Sequence, residues 1–246
     1  MLKKNVSSLS FYFFENLSKY KEISHFVSTK PLNISFSAGG DDLRQTEINR
    51  RLIAKALKIS LNSFVFMWQI HGHKIQIVTE KERGRGVKNS NDEIIGVDAM
   101  ITKSPKVMIC AKAADCVPIL MFDPVKRIVA AVHAGRKGTE LQILKLTIDK
   151  LKNEFRSNPK DLIVGVGPSI GPCHYEVDLW RENKTQLLES GVLEKNIEMS
   201  NICTYCQSDD FFSARKDGGV SGKPALLASA SRSGPTGRFA AGIMLQ

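Results

Sequence analysis

Pro118-Ile119-Leu120-Met121-Phe122-Asp123-Pro124-Val125-Lys126-Arg127-Ile128-Val129-Ala130-Ala131-Val132-His133-Ala134-Gly135 holds two apolar runs, residues 118–122 and 128–132, parted by Asp-Pro and two cations. Both runs have strand length and composition. Working outward, residues 99–102 and 107–111 read as two further strands upstream, and 162–166 as one downstream. Residues 64–70 are apolar and aromatic apart from Gln69, which predicts a strand buried on both faces. Residues 74–78 alternate, as a half-buried strand does. Residues 242–245 supply a last strand that closes the sheet. Between these, residues 139–155 predict a helix with Leu144, Ile148, Leu151 and Phe155 along one stripe, and Thr139 and Gln142 stand at capping-box spacing. A second helix is predicted over 43–57, with Ile48, Leu52 and Ala56 on its inner face and Arg44, Glu47, Arg51 and Lys55 towards water. Residues 176–200 read as helical and polar. Residues 81–91, 167–172 and 220–235 read as loops. There is no internal repeat and no linker, so residues 1–246 are expected to form one α/β domain with a largely antiparallel or mixed sheet.

Composition bounds the function. A chain of 246 residues, 42% hydrophobic and 24% charged, buries a substantial core without staples and is not disordered. No apolar run approaches the ~20 residues of a membrane span. Met1-Leu2-Lys3-Lys4 has the look of a signal peptide, but serines and Glu15 interrupt the stretch after it, so the segment is read as part of the fold of a cytoplasmic protein. The net charge of +10 invites a nucleic-acid partner. The basic residues are nevertheless scattered among Asp and Glu, and neither nucleic acid nor membrane is expected. Five cysteines without a secretory signal point to reduced thiols, with any special cysteine serving a metal or chemistry.

Three residues at strand ends carry that chemistry: His71 in Gln69-Ile70-His71-Gly72, Cys116 in Ala114-Asp115-Cys116-Val117-Pro118, and His133 in Ala131-Val132-His133-Ala134-Gly135. One thiolate and two imidazoles suit zinc, and three protein ligands leave the fourth tetrahedral position open. The competing reading is two hydrogen-bonded core histidines and a small buried cysteine. Cys203-Thr204-Tyr205-Cys206 is a lone C-x-x-C; lacking a second pair, it reads as a structural thiol pair. His73 reads as a supporting or surface histidine, and Cys173-His174 as a lining of the pocket. Arg136-Lys137-Gly138-Thr139 joins a strand to a helix with two cations at the helix start, a setting for an anion such as phosphate. A solvated Arg-Lys pair in an ordinary βα connection is its alternative.

At these residues the chain resembles the YfiH-type, laccase-domain (multicopper polyphenol oxidase-type) family. The resemblance rests on Asn49-Arg50-Arg51-Leu52, Gln69–Gly72, Ala114–Leu120, His133-Ala134-Gly135, Gly167-Pro168-Ser169-Ile170-Gly171-Pro172-Cys173, Cys203–Cys206, Phe211-Phe212-Ser213 and Thr236-Gly237-Arg238, in the family's order from Phe36 onward. It implies an α+β fold in α/β/β/α layers. It implies His71, Cys116 and His133 as metal ligands; Asp115, beside Cys116, is read from its position as an orienting partner. It implies purine nucleoside phosphorylase activity on adenosine, inosine, guanosine and methylthioadenosine, with adenosine deaminase activity in the same site. Substrate and phosphate contacts are then expected from Asn49, Arg50, Arg136, Lys137, Gly138 and Thr139. The cofactor is zinc, with copper the alternative metal; a multicopper oxidase needs more histidine ligands than the five here supply comfortably. The chain is expected as monomer or homodimer. It departs from the family's pattern in a shortened loop around Ala38, in Arg136-Lys137 after Gly135, in Ala214 where a tyrosine is usual, and in an insertion over 220–235. The shortened loop keeps in view a catalytically weakened member that binds a ligand or partner, and the resemblance also implies, for some bacterial members, an editing hydrolase acting on a peptidoglycan precursor. A metal-free hydrolase with Cys116 as nucleophile and His133 as base is the remaining alternative.

Overall fold

A computed structural model of the protein describes residues 1–36, 43–217 and 236–246. The predicted strands are present, and the N-terminal segment adds three more: β1 (Leu2–Val6), β2 (Leu9–Phe13) and β3 (Ile23–Ser28). They are followed by β4 (Phe64–Trp68), β5 (Ile75–Ile77), β6 (Ile94–Ile95), β7 (Ala99–Thr102), β8 (Met108–Ala113), β9 (Val117–Asp123), β10 (Ile128–Ala134), β11 (Ile163–Val166), β12 (Ile197–Met199) and β13 (Phe239–Leu245). These strands form two sheets. One runs β1-β2-β3-β13-β8-β4-β6 and the other β12-β11-β9-β10-β7-β5. Both mix parallel pairs, such as β4 with β8 and β5 with β7, with antiparallel ones.

Three apolar clusters separate four layers. Between the sheets lie Val65, Met67, Ile109 and Ile243 from one and Met100, Leu120, Phe122 and Val129 from the other. The outer face of the second sheet is covered by α3 (Ile143–Phe155) and α4 (Leu179–Glu189), through Leu144, Ile148, Leu151 and Leu187 against Ile119, Met121, Val132 and Val164. The outer face of the first is covered by α1 (Leu43–Ala56), through Ile53, Ala54 and Ala56 against Phe26, Phe64, Phe66 and Cys110. This is the α/β/β/α order, and β9, β10 and β13 are buried at every position because each is covered on both faces.

Four expectations are corrected. In α1 Ala56 is inward as expected, but with it on the inner face are Thr46, Asn49, Arg50, Ile53 and Ala54, while Ile48 and Leu52 are 39% and 41% exposed. Hydropathy alone sends an arginine outward; here Arg50 is inside because its charge and donors are matched there. The helix expected from residue 139 is two helices, α2 (Arg136–Glu140) and α3, parted at Gln142, whose φ of 58° is left-handed. The Thr139–Gln142 capping box is therefore absent. Residues 176–200 are helical mainly over α4, which stops before Gly191 at φ 95°, and the chain then returns as β12 beside β11. Residues 220–235 and the shortened loop at Ala38 lie outside the described residues.

Candidate metal centre

Strand register brings the predicted ligands together. β9 and β10 pair antiparallel with Val117 opposite Ala134 and Pro118 opposite His133. One step past the end of that ladder, Cys116 faces Gly135. On the other side of β10, Ala99 of β7 pairs with Val132, so the next residue pair is Asp98 and His133. There the His133 N–H donates to the Asp98 carbonyl at 2.7 Å, and His133 Nδ1 lies 2.9 Å from Asp98 Oδ1. The third ligand comes from the turn after β4. Its backbone N–H groups at Ile70, His71 and Gly72 all donate to the Asp98 carboxylate, at 3.3, 3.0 and 2.8 Å. This holds His71 in a left-handed conformation, φ 59°, that a histidine adopts only when something compensates it.

The ligand atoms of His71, Cys116 and His133 all lie within 4.8 Å of one another, and the two imidazoles meet nearly edge-on at 5.0 Å. His133 is buried, Cys116 half-buried and His71 exposed, so the group opens to solvent on one side. Because Asp98 takes Nδ1 of His133, Nε2 is left for the cysteine or a metal, the arrangement in which a carboxylate orients a metal-binding histidine. Burial alone would raise the Cys116 thiol, but the charge of His133 and hydrogen bonds from His133 and His71 outweigh it and hold it down to about 6. Burial works against protonated His133 too, and Cys116 and Asp98 overcome it. Burial likewise opposes the Asp98 charge, yet His133 and the turn's N–H groups keep that carboxyl below its usual range. The floor of the group demands glycine: a Cβ on Gly135 would sit 2.8 Å from Cys116 Sγ and 3.1 Å from His71 Cδ2. This donor set of one sulfur and two imidazole nitrogens, oriented and open on one side, fits a metal ion.

The other predicted residues are placed differently. Asp115 stands next to Cys116 at φ 90°, but its carboxylate accepts from the Thr204 hydroxyl and the Arg215 N–H, each at 2.7 Å. It braces the wall behind the cysteine. Asn49 and Arg50 are buried framework. Asn49 donates to the Asn33 carbonyl at 2.8 Å; Arg50 donates to the carbonyls of Ile34 and Gly86 and pairs with Glu93 at 3.4 Å. Thr139 is also spent: its N–H donates to the Gly135 carbonyl, its hydroxyl accepts from Asn183 at 3.1 Å and its carbonyl accepts from Gln186 at 2.7 Å. Gly138 is where α2 lies against the Gly72 carbonyl, 3.1 Å from any added Cβ. Within the expected anion cradle, Thr139 is thus taken up by the fold and Arg136 pairs with Glu140 and Glu176 at 2.9 and 3.1 Å, while Arg136, Lys137 and Gly138 stand as the first residues of α2 after Gly135. Among the described residues no donor group suited to multinuclear copper is assembled. Among the remaining histidines, His25 accepts from the Phe14 N–H at 2.9 Å and His174 stands in a different cluster.

Two residues near the site were given no role from sequence. Asp98 carries a signal that could have been found: it is a carboxylate at the mouth of an apolar strand, Val97-Asp98-Ala99-Met100. Arg238 lies close enough to Cys116 and Asp115 that both sustain its charge against burial, which lowers it. It comes from the far end of the chain, and no local pattern points from it to Cys116.

The model of the family described as multi-copper polyphenol oxidoreductase laccase matches residues 23–178 and 174–246. The chain belongs to that family. A purine nucleoside phosphorylase of Bacteroides thetaiotaomicron is 30% identical over 85% of this chain and 92% of its own length. Adenosine deaminase RL5 of an unknown prokaryotic organism is 29% identical over 75% of this chain and 81% of its own. The solved structure of hypothetical protein YfiH of Bacillus licheniformis superposes with a TM-score of 0.87 at 26% identity, covering 99% of both chains. As a laccase-family protein the chain thus shares its fold with YfiH. Among the described residues no helix is long and apolar enough to cross a membrane.

Proposed function

We propose that this laccase-family chain is a zinc-dependent purine nucleoside phosphorylase that also deaminates adenosine, with His71, Cys116 and His133 as the zinc ligands. The observation that carries the reading is the three-donor group fixed by Asp98 and left open at His71. The names of the relatives support the reaction class. In phosphorolysis a phosphate oxygen bonds to the ribose anomeric carbon as the bond to the purine nitrogen breaks, giving ribose 1-phosphate and free base. Zinc, when bound, supplies a Lewis acid and a water of pKa near ~7 for the deaminase reaction. The protein's own part is orientation. Asp98 sets the Nδ1–H tautomer of His133 and the backbone of His71, and Gly135 keeps the space over the thiolate clear. For the phosphate the reading keeps the start of α2 at Arg136–Thr139 and adds Arg238, a half-buried cation whose charge Cys116 and Asp115 sustain.

A second reading has its own observation. Cys116, His133 and Asp98 form a thiol, imidazole and carboxylate series with the thiol held down, which is also the make-up of a metal-free cysteine hydrolase. One experiment separates them. Purified protein is assayed for base release from inosine and adenosine across a phosphate series, with zinc counted before and after chelation. The expected result is phosphate-dependent release with ribose 1-phosphate as product, lost on chelation and restored by zinc. Hydrolysis that survives chelation moves the cysteine reading ahead. Zinc-loaded protein that releases no base at any phosphate concentration leaves a ligand-binding member.

A further inference from the structure

The lone C-x-x-C is not alone in three dimensions. The loop after β11 brings Cys173 and His174 to Cys203 and Cys206, and the four ligand atoms all lie within 4.8 Å of one another. Cys173 Sγ and Cys206 Sγ are 3.8 Å apart, and His174 Nδ1 lies 3.2 Å from Cys173 Sγ and 3.4 Å from Cys206 Sγ. A tetrahedral zinc with Zn–S near 2.3 Å and Zn–N near 2.0 Å has S···S edges of about 3.8 Å and S···N edges of about 3.5 Å. The surroundings are those of a ligand knot. The Gly171 N–H donates to Cys203 Sγ at 3.2 Å, and a Cβ on Gly171 would press on Trp180 at 2.8 Å and on Cys173 Sγ at 3.3 Å. The two loops are zipped beside it, with Ser169 N–H donating to the Ile202 carbonyl at 3.1 Å and Thr204 N–H to the Ser169 carbonyl at 3.0 Å. Tyr205 stacks on the His174 ring at 4.0 Å.

We propose that Cys173, His174, Cys203 and Cys206 bind a second zinc ion, closed and structural, that staples these two loops together. Three sulfurs and one imidazole select zinc over magnesium, calcium or manganese, and four protein ligands leave no position for substrate. The staple has a place to act. The same two loops hold Asp115 from behind, through the Ile170 N–H on its carbonyl at 2.9 Å and the Thr204 hydroxyl on its carboxylate at 2.7 Å, and Asp115 precedes Cys116. The second ion therefore fixes the wall against which the first site is built. It is independent of the reaction proposed above.

The test counts zinc in the full chain, purified reduced and without chelator. Wild type is expected to hold two zinc ions. Cys206→Ser is expected to hold one and to melt at lower temperature, Cys206→His to keep two, and Cys116→Ser to hold one. Because a serine variant can lose metal by misfolding, the deciding sample is Cys116→Ser loaded with cobalt alone. Intense thiolate-to-cobalt bands in that protein can come only from the other cysteines, and their loss on adding Cys206→Ser supports the site. A wild type whose zinc content is unchanged by Cys206→Ser, a Cys116→Ser protein without cobalt-thiolate bands, or a Cys173–Cys206 disulfide seen by mass in the reduced preparation overturns it.

Discussion

Asp98 holds His133 twice, by its carboxylate on Nδ1 at 2.9 Å and by its carbonyl on the backbone N–H at 2.7 Å. The same carboxylate collects three N–H donors from the His71 turn, so one buried side chain sets both imidazoles. Asp98→Asn keeps the size but brings an NH2 group into a site that offers only donors. One of the two oxygens that accept is lost, and His133 is free to take the other tautomer. Zinc affinity at the His71 site is expected to fall about 10- to 100-fold, the cost typical of changing a residue that orients a metal-bound histidine. Competition with a chromophoric chelator measures it, on protein whose second cluster is already loaded. An unchanged affinity would show that Asp98 serves the fold alone.

Gly135→Ala places a methyl group 2.8 Å from Cys116 Sγ. Cys116 stands one residue before β9 and His71, 3.1 Å from the same methyl, is held by its turn on Asp98, so neither has much room to retreat. Overpacking of this kind costs about 1–3 kcal/mol, which at the site corresponds to roughly tenfold or more in zinc affinity. Far-ultraviolet circular dichroism should remain native, since φ at this position is −79° and open to alanine. Full affinity in the alanine variant would mean that the pocket floor lies elsewhere.

The strands were legible because they are buried on both faces, and apolar runs such as 128–132 announce themselves without any knowledge of partners. The two histidines and Cys116 were legible from their positions at strand ends. What pattern could not supply was pairing. Asp98 becomes the orienting residue only once β7 lies beside β10, and Cys173 joins Cys206 only once the loop after β11 folds over. The C-x-x-C was read as lacking partners because its partners, Cys173 and His174, stand 33 and 32 residues upstream of Cys206. Arg50 was misread for the opposite reason: its motif stood out, and the carbonyls and carboxylate that absorb it are not local.

That misreading gives a prediction. Lys112 Nζ lies 2.6 Å from both oxygens of Glu93, which also faces Arg50, and all three are buried. Arg50 lies over the Phe66 ring at 3.8 Å as well. Glu93→Gln would leave two cations facing a neutral amide, a change expected to cost ~3–5 kcal/mol of stability. Arg50→Lys should also destabilise, because a single ammonium cannot replace the guanidinium fork across the Ile34 and Gly86 carbonyls. In both variants the KM for phosphate of the folded fraction should stay at the wild-type value. A selective rise in that KM for Arg50→Lys would return Arg50 to the substrate site.

His25 sets an acid limit on the fold. It is buried on β3, between β2 and β13, where its Nε2 accepts the Phe14 N–H at 2.9 Å and so must be unprotonated. Burial pushes its pKa down to about 4, against a smaller pull from Glu198. In the unfolded chain the same imidazole titrates near ~6.5. The sign follows from which state takes up the proton. Below about pH 6.5 the unfolded chain binds a proton that the folded chain refuses, so stability falls as pH drops and levels off near pH 4. With a gap of about 2.5 units the loss approaches ~3 kcal/mol, at up to ~1.4 kcal/mol per pH unit. Above pH 7 this residue contributes no slope. His25→Gln, whose amide oxygen can accept the same N–H, should be less stable than wild type at pH 7.5 through imperfect packing, but should lose less on acidification. Urea unfolding of both proteins between pH 4.5 and 7.5 gives the comparison, and parallel stability curves across that range would exclude His25 as the titrating group.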